Sequence, residues 1–209
     1  DLSMLALADS NAEAVALSRR LADGYGQWIE ERVTEAANLP QEHQGAATRH
    51  LKECSEALKR IRNGIDLLET DELVSQAFSL MNRAMLAQQI HYDLASNPQK
   101  QRRWVKKAGA LVLERPYAKP DLTNVPEGRG RWRPFQLAFI LMNLRSISER
   151  GSSERCVVDL IWFPTGGGKT EAYLGVAAFA MAMRRLKDDL GGLDASRGLA
   201  VIMRYTLRL

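Results

Sequence analysis

Apolar residues recur at helical intervals through the first hundred positions of the chain. Leu17, Leu21, Tyr25, Trp28, Ile29, Val33 and Ala36 fall on one side of a helix, and Ser10 with Glu13 has the S-x-x-E spacing of a capping box at its start. Asn38-Leu39-Pro40 ends that helix, since proline cannot extend the backbone hydrogen-bond ladder. A second stripe, Leu51, Cys54, Leu58, Ile61, Ile65 and Leu68, steps by three and four residues and predicts an apolar seam against another helix. Thr70 is the expected N-cap of a third helix, with Asp71 and Glu72 in its first turn and Leu73, Val74, Ala77, Phe78, Met81 and Met85 as its buried face. These residues read as core rather than as a cofactor box of methionine and aromatics.

The periodicity breaks at Asn97. Pro98, Pro116, Pro120 and Pro126 with Gly128 and Gly130 mark an extended connector, interrupted by a short apolar piece from Ala108 to Leu113. Lys100, Arg102, Arg103, Lys106 and Lys107 surround Trp104 in it. That composition suits a solvated linker, and it equally suits a surface that holds a nucleic-acid backbone and stacks a base. After Arg133-Pro134 an amphipathic helix is predicted from Phe135 to about Ile147. The run Cys156 to Trp162 is apolar almost without interruption, the pattern of a strand buried in a parallel sheet. A glycine cluster at 166–168, a helix from Lys169 to about Lys187, a turn at Gly191-Gly192 and a second apolar strand, Leu199 to Met203, complete a βαβ pattern, which implies a right-handed parallel α/β sheet.

Charge divides the chain in the same place. Residues 1–97 carry 9 Lys+Arg against 15 Asp+Glu, whereas 98–209 carry 20 against 10, so a polyanion is expected on the second part. No apolar run approaches the ~18–20 residues of a membrane span. Two cysteines make no disulfide framework and three scattered histidines make no zinc site; an intracellular, cytoplasmic location is expected.

The chemistry is concentrated in Phe163-Pro164-Thr165-Gly166-Gly167-Gly168-Lys169-Thr170. Glycines let successive N–H groups and a helix N-terminus point at a phosphate chain. Lys169 would reach the β- and γ-phosphates of ATP, and the Thr170 hydroxyl would ligate Mg²⁺. An apolar run before the string and a long helix after it supply the context of a P-loop. Gly175, Ala177, Ala178, Ala180 and Ala182 let that helix lie close to a sheet.

The Pro-Thr-Gly-x-Gly-Lys-Thr string resembles motif I of superfamily 2 helicases, with Phe163 where the general P-loop pattern has Gly. In that resemblance Arg133-Pro134-Phe135-Gln136 corresponds to the adenine-reading element, 33 residues before Lys169, with Gln136 offering donor and acceptor to the base. Arg204, Thr206 and Arg208, in Met203 to Arg208, correspond to motif Ia and its contacts with DNA phosphates. Glu171 follows the loop but precedes no second acid. The wording WFPTGGGKTEAYLGVAAF with VIMRYTLRL, WRPFQLAFILMNL and the helical segments before it is similar, over about residues 20–209, to the DrmA family, the helicase-like ATPases of the bacterial DISARM antiphage defence system. The resemblance implies a motor acting on DNA with a DrmB-like partner subunit.

The expected fold class is therefore α/β: an N-terminal all-α region over 1–97, a basic connector over 98–131, and the start of a RecA-like lobe over 132–209. Only 40 residues follow Lys169, and the sole Asp-Glu pair, Asp71-Glu72, precedes the loop, so no Walker B acid is in place. The chain is read as part of a larger ATPase, inactive by itself. An ATP-dependent DNA helicase or translocase is the leading reading. A nucleotide-gated module that docks on DNA or a partner without unwinding is the alternative, and a small-molecule P-loop kinase is a weaker third.

Overall fold

A computed structural model of the chain describes residues 2–96, 103–114, 121–125, 127–162, 166–187, 194 and 198–204. Helices α1 (Met4–Asp9), α2 (Asn11–Ala36), α3 (Gln41–Thr70) and α4 (Glu72–Ser96) come first, followed by strands β1 (Trp104–Lys107) and β2 (Ala110–Leu113). Helix α5 (Pro134–Ser148), a 3₁₀ turn at Ser153–Cys156 and helix α6 (Lys169–Leu186) complete the described elements.

The periodic stripes form the helices they predict. The Ser10 hydroxyl accepts a hydrogen bond from the Glu13 N–H and starts α2. Leu58, Ile61, Ile65 and Leu68 of α3 and Val74, Ala77, Phe78, Met81 and Met85 of α4 are buried. The cap of α4 is Asp71, one residue beyond Thr70: its carboxylate accepts from the Val74 N–H, while α3 runs on to Thr70, whose hydroxyl donates back to the Asp66 carbonyl. The outer half of the α2 stripe is core only at Ile29. Trp28 and Val33 are exposed, and α3 has no buried residue before Leu58.

Helix α5 is the centre of the packing. Leu137, Ile140, Leu141 and Leu144 are wholly buried, with α3 on one side and α6 on another, while α4 packs on α6. Two glycines set these distances. A Cβ on Gly64 of α3 would lie 2.0 Å from the Leu141 carbonyl oxygen, and one on Gly175 of α6 would lie 2.6 Å from Ile140 Cδ1. At Gly64 the atom met is backbone, so the approach is available only to a residue without a side chain, while at Gly175 it is the end of the Ile140 side chain. The entry to α5 is fixed as well: Trp132 Nε1 donates to Asn82 Oδ1 at 2.7 Å inside the core, and the Trp132 N–H donates to the Leu2 carbonyl.

Two expectations are corrected. The connector contains a hairpin: β1 and β2 pair antiparallel, Trp104 opposite Leu113, across an Ala108-Gly109 turn with φ of 49° and 85°. Two successive positive φ values define the type I′ turn that suits strand twist. It escaped the sequence reading because Ala108 is not a residue that ordinarily marks such a turn. The parallel sheet is absent among the described residues. Cys156 ends a 3₁₀ turn, and neither 157–162 nor 199–204 forms a strand; Ala200 lies in a bend and the Leu199 carbonyl accepts from Arg184 Nη1 at 2.6 Å. A strand is made by its hydrogen-bonded neighbours, and the described residues offer these segments none. Val158, Leu160 and Trp162 accordingly stand 93%, 83% and 86% exposed. The fold shown is thus mixed and mostly helical.

The unpaired segment is nevertheless tethered. Arg60 of α3 grips Asp159 through two bonds, Nη1 to Oδ1 at 2.6 Å and Nη2 to Oδ2 at 2.8 Å, with Glu154 at 3.6 Å. The three side chains are only 12–16% exposed. The Asp159 hydrogen bond holds the Arg60 pKa above its already high ordinary value, so the guanidinium stays charged.

Gly64→Ala should therefore lower stability by about 1–3 kcal/mol, read as a reduced urea midpoint with an unchanged slope. Arg60→Ala leaves two carboxylates with little solvent and should cost about 1.5–3 kcal/mol in the same titration. An unchanged midpoint in either variant would contradict the contact it removes.

Candidate nucleotide-binding site

The loop enters α6 through two glycines in left-handed conformations, Gly166 at φ 85° and Gly168 at φ 85°, ψ 27°. Gly168 stands at the N-cap, where a serine or aspartate would ordinarily satisfy the first amides; here no side chain caps them. The first turn of α6, which begins at Lys169 and Thr170, therefore turns the positive end of the helix dipole to the loop with no N-cap side chain bonded to its amides. Lys169 is half-buried and Thr170 exposed. Around Gly166 the loop is open: a Cβ there would meet nothing within 4 Å.

The first turn of α5 backs the loop. Arg133 Nη1 donates to the Gly167 carbonyl at 2.9 Å, and Gln136 Nε2 donates to the Gly168 carbonyl at 2.8 Å. Gln136 Oε1 accepts from the Arg133 N–H at 2.8 Å, so the buried amide is engaged at both ends. A Cβ on Gly168 would lie 2.7 Å from Gln136 Nε2 and 3.4 Å from Glu171 Oε2, which places both side chains against the loop. Arg133, Gln136, Gly167, Gly168 and Glu171, spread over 39 positions of sequence, thus form one cluster. With its amide arranged in this way, Gln136 sets the loop from behind; reading a base edge requires that amide to exchange partners.

The resemblance to superfamily 2 helicases brought Arg133 and Gln136 into consideration but gave no sign of their bonds to the loop. The signal was there: Pro134 at the first helical position with Gln136 two residues on is an N-terminal signature in which the Gln side chain turns back to the backbone. The Arg60 tether to the segment that precedes the loop carried no such signal, because its partners are 99 positions apart.

Other expected residues are not brought to this cluster. Arg204 is exposed on the unpaired segment after Leu199, and Thr165, Thr206 and Arg208 lie outside the described residues. An apolar cleft of about 680 Å³ lies beside the start of α5, lined by Tyr25, Phe135, Phe139 and Trp162 among others. A second cavity of about 750 Å³ lies at the C-terminal ends of α5 and α6, lined by Ser148, Arg150, Arg155 and Lys187. The 18 residues of α6 place it about 27 Å from the loop, too far to share its chemistry.

No helix among the described residues is long and apolar enough to cross a membrane. No family model matches the chain. Against individual proteins, it is 37% identical across 212 aligned positions to the DISARM protein DrmA of Bacillus paralicheniformis. That match takes in 100% of this chain and 17% of the relative, so the chain spans about a sixth of the relative's length. The matched stretch includes the glycine loop, the α5 turn that backs it and the helical region beneath, and over all of it the chain is similar to that DrmA protein.

Proposed function

We propose that this chain is the nucleotide-binding part of a DISARM-type antiphage ATPase, a superfamily 2 motor that acts on DNA with a partner subunit. The observation that carries the reading is the glycine loop at the uncapped N-terminus of α6, held from behind by Arg133 and Gln136. Its chemistry fits a triphosphate. The loop is open around Gly166, and the N-terminus of α6 turns its amides and the positive end of its dipole toward it. Gly166 to Gly168 cradle the phosphates, Lys169 neutralises the β- and γ-phosphate charge, and the Thr170 hydroxyl is the side chain that would hold Mg²⁺. When bound, that ion draws charge from the phosphate oxygens. Glu171 and Gln136 flank the loop and orient it.

In this reading the apolar segments 157–162 and 199–204 become two strands of a RecA-like parallel sheet whose other strands come from outside these residues. Arg204, with Thr206 and Arg208, then meets DNA phosphates beyond the second strand. The DISARM role rests on the likeness to the DrmA relative.

The bonds from α5 to the loop also favour the second reading, nucleotide-gated docking. A phosphate that reshapes Gly167 and Gly168 must disturb Arg133 and Gln136, and through them the packed helices. Strand-displacement and translocation assays on the full-length protein separate the two.

Lys169→Ala in the full-length protein should lower DNA-stimulated phosphate release at least about 100-fold, since in this reading it removes the cation at the β- and γ-phosphates. Wild-type turnover by that variant would overturn the assignment. Gln136→Ala should raise the KM for ATP several-fold with a smaller change in kcat, through loss of the support behind Gly168; an unaltered KM would remove Gln136 from the site.

A further inference from the structure

We propose that the β1–β2 hairpin is a docking arm for single-stranded nucleic acid, gripping the backbone with Arg103, Lys106 and Lys107 and stacking a base on Trp104. The proposal deepens the motor reading and rests on it for the identity of the polyanion.

The hairpin is built but unpacked. Its strands pack chiefly on one another, and none of its apolar residues joins the core. Trp104 is 61% and Leu111 70% exposed. An isolated two-stranded hairpin is marginal in water, and core burial does not explain an aromatic placed on one. Cross-strand partners share a face, so Trp104 and Lys106 lie with Leu111 and Leu113 on one side, and Val105 and Lys107 with Ala110 and Val112 on the other.

Its charge is equally unspent. Arginines on each long helix from α2 to α5 pair with carboxylates, as Arg19 does with Glu69, Arg83 with Asp9 and Arg145 with Glu149. Arg103, Lys106 and Lys107 have no ion pair among the described residues, and Glu114 is the sole acid between 103 and 114. Unpaired cations next to an exposed indole are the two components of single-strand recognition, a charged track and a stacking platform. A duplex keeps its base faces stacked and would leave Trp104 unused. A lipid surface is met from one side, whereas the lysines of this arm lie on both faces.

The test uses the full-length protein with Trp104→Ala, Trp104→Phe and the double change Lys106→Ala/Lys107→Ala, after thermal melting shows each as stable as wild type. Fluorescence anisotropy with a labelled oligo-thymidine strand, across a salt series, should show about ten-fold weaker binding for Trp104→Ala and near-wild-type binding for Trp104→Phe. The lysine double variant should flatten the salt slope by about 0.7 per lysine removed. ATP turnover without DNA should be unchanged in all three. If wild type binds the strand and the variants bind it equally well, the arm is refuted and the motor reading stands. Losses confined to phosphatidylserine vesicles would likewise refute it in favour of a membrane contact. If wild type binds the strand but hydrolyses no ATP, the motor reading fails while the variants still decide the arm; if wild type does not bind the strand, the arm fails whatever its turnover.

Discussion

Helix α5 packs against a glycine on each of two neighbours, and the arrangement of the molecule follows from that. Gly64 lets α3 approach the Leu141 carbonyl at backbone distance, and Gly175 makes room on α6 for the Ile140 and Trp132 side chains. A Cβ on Gly64 would push α3 away from α5, whereas one on Gly175 would press on those two side chains, so the α3–α5 distance is fixed more tightly than apolar burial alone would fix it. The wholly buried Leu137, Ile140, Leu141 and Leu144 then fill the space between, and the Trp132 indole bonded to Asn82 pins the start of α5 to α4.

The first turn of α5 is also the wall behind the glycine loop. Arg133 and Gln136 reach the Gly167 and Gly168 carbonyls from a helix whose position is decided by α3 and α6. The acidic helical region is therefore part of the support of the candidate site. Arg60 adds a second line of support, since it draws residue 159, a few positions before the loop, onto α3. A displacement of α3 would be felt at both ends of the loop.

Much of this was legible because helices announce themselves locally. The Ser10 cap, the α3 and α4 stripes and the bounds of α5 and α6 all follow from periodicity and end signals within a few residues. The glycine loop was legible for the same reason, its chemistry lying in one contiguous string. What stayed hidden depends on distant partners: Gly64 against Leu141, Arg60 against Asp159, and the bonds from Arg133 and Gln136 to the loop. The hairpin was hidden by one residue, Ala108, which holds a positive φ without the glycine or asparagine that would have signalled it.

The unformed sheet shows what an apolar run encodes. Cys156 to Trp162 carries the burial pattern of an interior strand, but burial is a property of an assembly, and the described residues cover only one side of it. Asp159 turns its carboxylate to Arg60, with the side chain 16% exposed, while Val158, Leu160 and Trp162 stay largely exposed, Leu160 and Trp162 at the edge of the apolar cleft beside α5. Alternation has thus been imposed on a sequence that lacks it, by an ion pair at Asp159 and by thin cover around it. Leu199 and Ile202, 77% and 84% exposed, repeat the condition on the second segment. Apolar side chains so exposed, on backbone with unmade ladder bonds, are unfavourable in water in both respects. The proposed RecA-like sheet relieves both at once, because neighbouring strands would pair the backbone while packing layers covered Val158, Leu160 and Trp162. A cover that supplied only side chains would leave the amides unpaired, which the strands of the proposed sheet would not.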